Sequence, residues 1–133
     1  MFRVKYSRET TLKLLFLIDA LGLDGGNPVE LLEENENFFK NLNEPEIDFI
    51  VKIIKKIQEK KVEIDTLIRD NLIGWKLERL LSVDRNLLRM GIAESHFNDQ
   101  KAVIIDDIVR IAKKYGSEES YKIINAILDT VIS

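Results

Sequence analysis

Two groups of cations and planar side chains carry the recognition chemistry this chain has to offer. Arg3, Lys5 and Arg8 stand together at the start, and Lys113, Lys114, Tyr115, Lys122 and Asn125 gather around Gly116 near the end. Binding RNA requires cations to meet phosphate and planar groups to stack on unpaired bases. The Arg and Lys residues answer the first need, and Tyr115 answers the second. Asn125 suits either reading a base edge or capping the packing of its own helix.

Groups that would signal catalysis are isolated or missing. His96 is the sole histidine, followed by the turn residues Asn98 and Asp99, and no Ser or Cys partner stands at a recognisable spacing. Asp106 and Asp107 are adjacent, so on a helix they diverge by about 100° and cannot share one metal without further ligands. Complementing a helix dipole in a first turn is the simpler role for them. Gly25 and Gly26 form a lone pair with no strand before and no Lys-Ser/Thr after, which is not a phosphate loop. Cysteine is absent, which removes disulfides, thiolate metal sites and cysteine nucleophiles and fits a reducing cytoplasm. No enzyme, cofactor or metal is expected.

A third constellation lies in the middle of the chain. Arg85 and Arg89 are four apart and share a helix face, with Asp84 and Glu94 nearby. Gly91 inside the same helix costs about 1 kcal/mol relative to Ala, and a close helix crossing is a physical reason to keep it.

With 133 residues, 45% hydrophobic and 32% charged, one globular domain over residues 1–133 is expected. A chain of this size buries roughly two thirds of its unfolded surface. The net charge of −3 conceals a segregation. The start is basic, whereas Asp24, Glu30, Glu33, Glu34, Glu36, Glu44, Glu46 and Asp48 are opposed only by Lys40 in their stretch. Any nucleic-acid contact must therefore be a local basic patch, and the acidic stretch reads as a solvated face. Arg3, Lys5 and Arg8 ahead of Leu14 to Ile18 loosely mimic a secretory signal, but Glu9, Asp19 and the lack of a small-residue cleavage site oppose that reading. No apolar run approaches the roughly 18 residues that span a bilayer, so a membrane role is excluded and a cytoplasmic location expected.

The elements that must position these residues all read as helices. Ser7 is the expected cap of a first helix with Leu12, Leu15, Phe16 and Leu21 as its stripe and Gly22 as its stop. After the loop Asp24 to Asn27, Asn27-Pro28 opens a short helix to about Glu34, and Asn43 with Glu46 has capping-box spacing around Pro45. Ile47, Ile50, Val51, Ile54, Ile57, Ile64, Leu67 and Ile68 predict one helix of roughly 27 residues, the spine of a bundle. Gly74 and Trp75 break it, Leu77 to Leu81 form a short segment, and Ser82 caps a helix carrying Val83, Leu87, Leu88, Met90 and Ile92. Two further helices, near Ala102–Tyr115 and Glu118–Ile132, meet at Gly116 and Ser117.

The order Ile104 to Asp107, Ile111 to Gly116 and Lys122 to Asp129, with Arg85, Leu88, Arg89, Gly91 and Glu94 upstream and Arg8 to Phe16 at the start, resembles the NusB family of bacterial transcription antitermination factors. The resemblance covers almost the whole chain. It implies an all-α, compact bundle of about six to seven helices that acts without catalysis as an RNA-binding adaptor. It further implies that a boxA-like single-stranded RNA meets Arg3, Lys5, Arg8, Lys113, Lys114, Tyr115, Lys122 and Asn125. The protein partner NusE, a small-subunit ribosomal protein, would meet Phe16, Asp84, Arg85, Arg89 and Glu94, and the assembly would help RNA polymerase pass terminators in ribosomal RNA transcription. Ile123 and Ala126 replace the Phe and Gly of the family's Phe-(Ile/Val)-Asn-Gly motif, the early arginine cluster is thinner, and Thr11 stands where Ala is usual. Losing an aromatic removes a stacking platform worth about 1–3 kcal/mol per base. The second reading is therefore a NusB-like protein-interaction module with weakened RNA binding. Similar domains precede ribosomal RNA cytosine methyltransferases, but a cofactor loop and a cysteine nucleophile are missing here.

Overall fold

The computed structural model describes residues 1–23, 25–74 and 76–133; the readings that fall on Asp24 and Trp75 lie outside the described residues. The chain runs through α1 (Val4–Leu21), α2 (Pro28–Glu34), α3 (Glu44–Glu59), α4 (Lys61–Asp70), a 3₁₀ turn (Leu77–Arg79), α5 (Ser82–Ser95), α6 (Lys101–Tyr115) and α7 (Ser120–Val131). Among the described residues there is no strand, so the fold is the expected all-α bundle.

Several stops and caps follow from local chemistry. Gly22 closes α1 with φ 65°, a left-handed backbone that favours glycine. Asn27 caps α2 ahead of Pro28, and the Asn43–Glu46 pair forms the capping box, each side chain accepting from the other's backbone N–H at 3.1 Å.

Other expectations are corrected. Helix α1 begins at Val4 rather than after Ser7, because Glu46 reaches across from α3 to accept the Arg3 backbone N–H at 3.0 Å and holds the first turn from outside. Ser7 Oγ instead donates to the Arg3 carbonyl one turn back. Ser82 is the first residue of α5 and not its cap; its hydroxyl donates to Asp19 at 3.3 Å. Leu21 is 59% exposed, and Leu14 and Ile18 complete the buried face of α1. Asp106 and Asp107 lie beyond the first turn of α6, which starts at Lys101, so the dipole role does not apply.

The expected long spine is two helices. At Lys60 the backbone leaves helical geometry (φ −110°, ψ 21°), and α4 starts afresh at Lys61 with Ile64 and Ile68 buried and Val62 exposed. The hydrophobic period continues across the break, so period alone did not reveal it. The central element is α5, which packs against α1, α3, α4, α6 and α7. It is buried from Asn86 through Glu94 with polar residues included. A helix enclosed in this way must satisfy its polar groups internally. Asn86 donates to Asp19 of α1, Arg89 pairs with Asp65 of α4, Glu94 pairs with Arg8 of α1, and Asp84 accepts from Ser120 of α7. Gly91 sits where α7 crosses: a Cβ there would lie 2.9 Å from Leu128 Cδ1, the close approach its placement predicts.

Candidate nucleic-acid interface

Of the expected RNA cations, Arg8 is turned inward and Arg3 is held in an ion pair at the surface. Arg8 is 2% exposed; its Nε and Nη2 donate to the two oxygens of Glu94 at 2.9 and 2.6 Å, and its Nη1 donates to Asp107 at 2.9 Å. Burial opposes the charge of Arg8, and the two carboxylates outweigh it, so the guanidinium is held more firmly protonated than usual. The pattern continues outward: Asp107 accepts from Arg110 at 2.6 Å, and Arg110 donates to Glu9 at 3.2 Å. Glu9 also accepts from Lys114 Nζ at 2.8 Å and from the Tyr115 hydroxyl at 3.0 Å. Burial works to raise the Glu9 carboxyl, but these three donors hold it below the ordinary carboxylate range. One charged seam thus joins α1, α5 and α6 and ends at the surface in Lys114 and Tyr115. Arg8 belongs to its interior and presents no charge to a phosphate.

Arg3 is committed elsewhere. Its Nε and Nη2 grip Glu46 at 2.7 and 2.8 Å, and its guanidinium lies 4.2 Å from the centre of the Tyr6 ring. The hydrogen bond from Arg3 takes the Glu46 carboxyl down to about 2. Lys5 is exposed, one turn before Glu9 on α1, and so lies towards the Lys114–Tyr115 end of the seam.

The remaining candidates meet at the corner between α6 and α7. Lys113 Nζ lies 4.8 Å from the centre of the Tyr121 ring and Lys122 Nζ 6.0 Å from it, so one aromatic plane carries a cation from each helix. Lys122 also pairs with Glu119 at 3.7 Å across open surface. Tyr115 is 38% exposed with Lys114 5.2 Å from its ring centre. The corner itself is braced from below: Ser120 Oγ accepts from the Ser117 backbone N–H at 2.9 Å and donates to Asp84 at 2.9 Å. Asn125 is exposed one turn beyond Tyr121 and lines a shallow groove with Lys101, Ile105 and Asp106. Tyr121 was not among the expected site residues. Its signal was legible, an aromatic beside Lys122 just past the glycine stop; what the sequence alone did not reveal was that Lys113 faces it.

The expected partner-facing residues divide in the same manner. Asp84, Arg89 and Glu94 are buried; Arg89 forms a two-pronged pair with Asp65 at 2.8 and 3.0 Å and Glu94 pairs with Arg8, whereas Asp84 has one oxygen bonded to Ser120 and the other without a hydrogen-bond partner. Burial raises the Asp84 carboxyl against the opposing bond from Ser120. Phe16 is half-buried against the core, and Arg85 is half-exposed. Arg85 and the edge of Arg89 line a polar groove of about 500 Å³ with Asp19, Asp65 and Arg69. Beside it, Leu21 at the end of α1 and Leu81 at the start of α5 are 59% and 54% exposed. Among the described residues no cluster of His, Asp or Glu could hold a metal ion, and no helix is long and apolar enough to cross a membrane.

Comparison with known proteins agrees with this architecture. The transcription antitermination protein NusB of Clostridium botulinum strain Kyoto is 38% identical, over 95% of this chain and 96% of the relative. That of Persephonella marina is 35% identical, over 96% and 90%. Among solved structures, NusB of T. maritima superimposes with a TM-score of 0.82 at 32% identity, covering 99% of this chain and 92% of that one. A chain from a complex described as antitermination factors NusB and NusE with dsRNA superimposes with a TM-score of 0.80 at 31% identity, covering 96% and 94%. The sequence profile of the NusB family matches residues 5–133. Matched along nearly its full length in both sequence and fold, the chain belongs to the NusB family.

Proposed function

We propose that this protein is a non-enzymatic RNA-binding adaptor of transcription antitermination. It acts in the cytoplasm as one unit over residues 1–133, holding a boxA-like single-stranded RNA together with NusE while RNA polymerase transcribes ribosomal RNA. The observation that carries the reading is the α6–α7 corner, where the exposed Lys113 and Lys122 flank the half-buried ring of Tyr121. Cations beside a planar ring supply both phosphate attraction and base stacking. Lys5, Lys114, Tyr115 and Asn125 extend this surface, with Lys114 and Tyr115 oriented by Glu9. NusE takes the groove lined by Arg85 and Arg89, where exposed Leu21 and Leu81 add apolar contact beside a polar floor. The relatives support the pairing of partners, since one structural neighbour comes from a complex described as NusB and NusE with dsRNA.

Two observations favour the second reading, a protein-interaction module with weakened RNA binding. Arg3 and Arg8 are matched internally, and Ile123 stands where the family's aromatic would be. A titration of labelled boxA-like single-stranded RNA with and without saturating NusE separates the two. The adaptor reading predicts binding that tightens when NusE is present, and weaker binding to a duplex of the same sequence. No RNA binding even with NusE would leave the interaction module in its place. Preference for the duplex would correct the RNA class.

A further inference from the structure

On the side of the molecule formed by α2 and the loop before α3, an open groove of about 510 Å³ is left unfilled. Its floor is apolar, made by Leu32, Phe39 and Ile47, and its rim carries Glu33 and Glu36 with Lys40 as the one cation lining it. Helix α2 has α3 as its principal neighbour, so its outer face is uncovered. Phe38 stands 68% exposed beside the groove, its ring edge-on to Phe39 at 4.9 Å between centres. An exposed Phe next to an apolar trough is a feature of recognition surfaces and not of a solvated face.

Charge decides the class of occupant. Glu30, Glu33, Glu34 and Glu36 lie on or beside α2, and Glu44 and Asp48 open α3, all exposed. Within the described residues of this stretch only Glu46 is matched by an arginine. Such a field repels RNA and attracts a basic chain. We propose that this groove docks a basic peptide segment of a partner protein, one apolar side chain seated on Leu32, Phe39 and Ile47 and flanking Lys or Arg residues meeting Glu33 and Glu36. The arrangement follows the general form of helix and peptide recognition, in which a pocket sets affinity through an apolar anchor and rim charges set partner choice. It is separate from the α6–α7 corner and from the groove of Arg85 and Arg89, so a partner could occupy it while both are engaged.

The test uses the full chain, isotopically labelled, titrated with an amidated twelve-residue peptide rich in Lys, Arg, Leu and Phe. Two controls accompany it, one with every Leu and Phe changed to Ser and one with every Lys and Arg changed to Glu. The proposal expects amide shifts confined to residues 29–47, saturable binding of the first peptide, and affinity lower by about tenfold or more in the Glu33→Lys/Glu36→Lys variant. Phe38→Ser, an exposed change that leaves the core intact, is expected to weaken binding several-fold. The proposal is overturned if the Ser-substituted peptide binds as well as the first, if the shifts fall elsewhere, or if the charge-reversed variant binds unchanged. Shifts at residues 29–47 that grow with protein concentration in the absence of peptide would assign the groove to a second copy of this chain and overturn it likewise.

Discussion

The seam between α1, α5 and α6 and the corner between α6 and α7 use cations in opposite ways. In the seam, Arg8 lies between Glu94 and Asp107, its planar fork answering two carboxylates at 2.6 to 2.9 Å. At the corner, Lys113 and Lys122 stand over Tyr121 with their heads towards solvent. The contrast matches the side chains. A guanidinium makes several directed bonds and tolerates burial among acids, whereas an ammonium is a strongly hydrated point charge suited to a surface. Charge written in the sequence is therefore a poor guide to charge available to a ligand. What decides availability is whether the cation is buried among carboxylates, as Arg8 is, or keeps an exposed head, as Lys114 does even while it bonds to Glu9.

The largest effect should come from breaking the seam. Arg8→Met leaves the buried Glu94 without a cation and Asp107 with Arg110 alone, and removing one member of such a group costs about 3–5 kcal/mol. Urea unfolding followed by circular dichroism measures it; a loss below 1 kcal/mol would mean that the seam is not the structural lock described here. The crossing that supports the corner is next. Gly91→Ala drives a Cβ into Leu128 at 2.9 Å, and overpacking of this kind costs about 1–3 kcal/mol, offset in part by the better helix propensity of Ala. Thermal unfolding reads this change.

On the corner side, Tyr121→Ala should weaken RNA binding by about 1–3 kcal/mol, the worth of one stacked base, while Tyr121→Phe keeps it. Fluorescence anisotropy with single-stranded RNA distinguishes the two variants, and equal affinity in both would remove Tyr121 from the site.

The smallest effect concerns acid. The Glu46 carboxyl lies at about 2 in the folded chain against an ordinary 4.5, chiefly through its hydrogen bond from Arg3. Between these values the unfolded chain binds the extra proton first, so the stability contributed by Glu46 is intact above pH 4.5 and is lost as pH falls towards 2. The melting temperatures of the wild type and Glu46→Gln should accordingly converge over that range. A constant gap would show that the ion pair is not what separates them.

Much of the fold was legible because its signals are local. Asn27-Pro28, the Asn43–Glu46 box, the stop at Gly22 and the crossing at Gly91 each depend on a few neighbouring residues or on a missing Cβ. The break at Lys60 was not, since the hydrophobic period runs through it unbroken from Ile57 to Ile64. The central place of α5 was hidden for a related reason: its buried polar residues look like a surface face until Asp19, Asp65, Arg8 and Ser120 are brought to them from other helices. Of the candidate site, the corner was readable from residue types around Gly116. The withdrawal of Arg8 was not, because Glu94 and Asp107 lie 86 and 99 residues away in sequence.

The claim that exposed lysines, and not the buried arginine, meet the RNA is tested most directly by the salt dependence of binding. Each phosphate neutralised on a single strand contributes about −0.7 to the slope of log affinity against log salt, so Lys113→Gln/Lys122→Gln should shallow that slope by about 1.4. Arg8→Lys, measured under conditions in which it remains folded, should leave the slope unchanged. A slope unaltered by the loss of both lysines, or made shallower by the change at Arg8, would contradict the account.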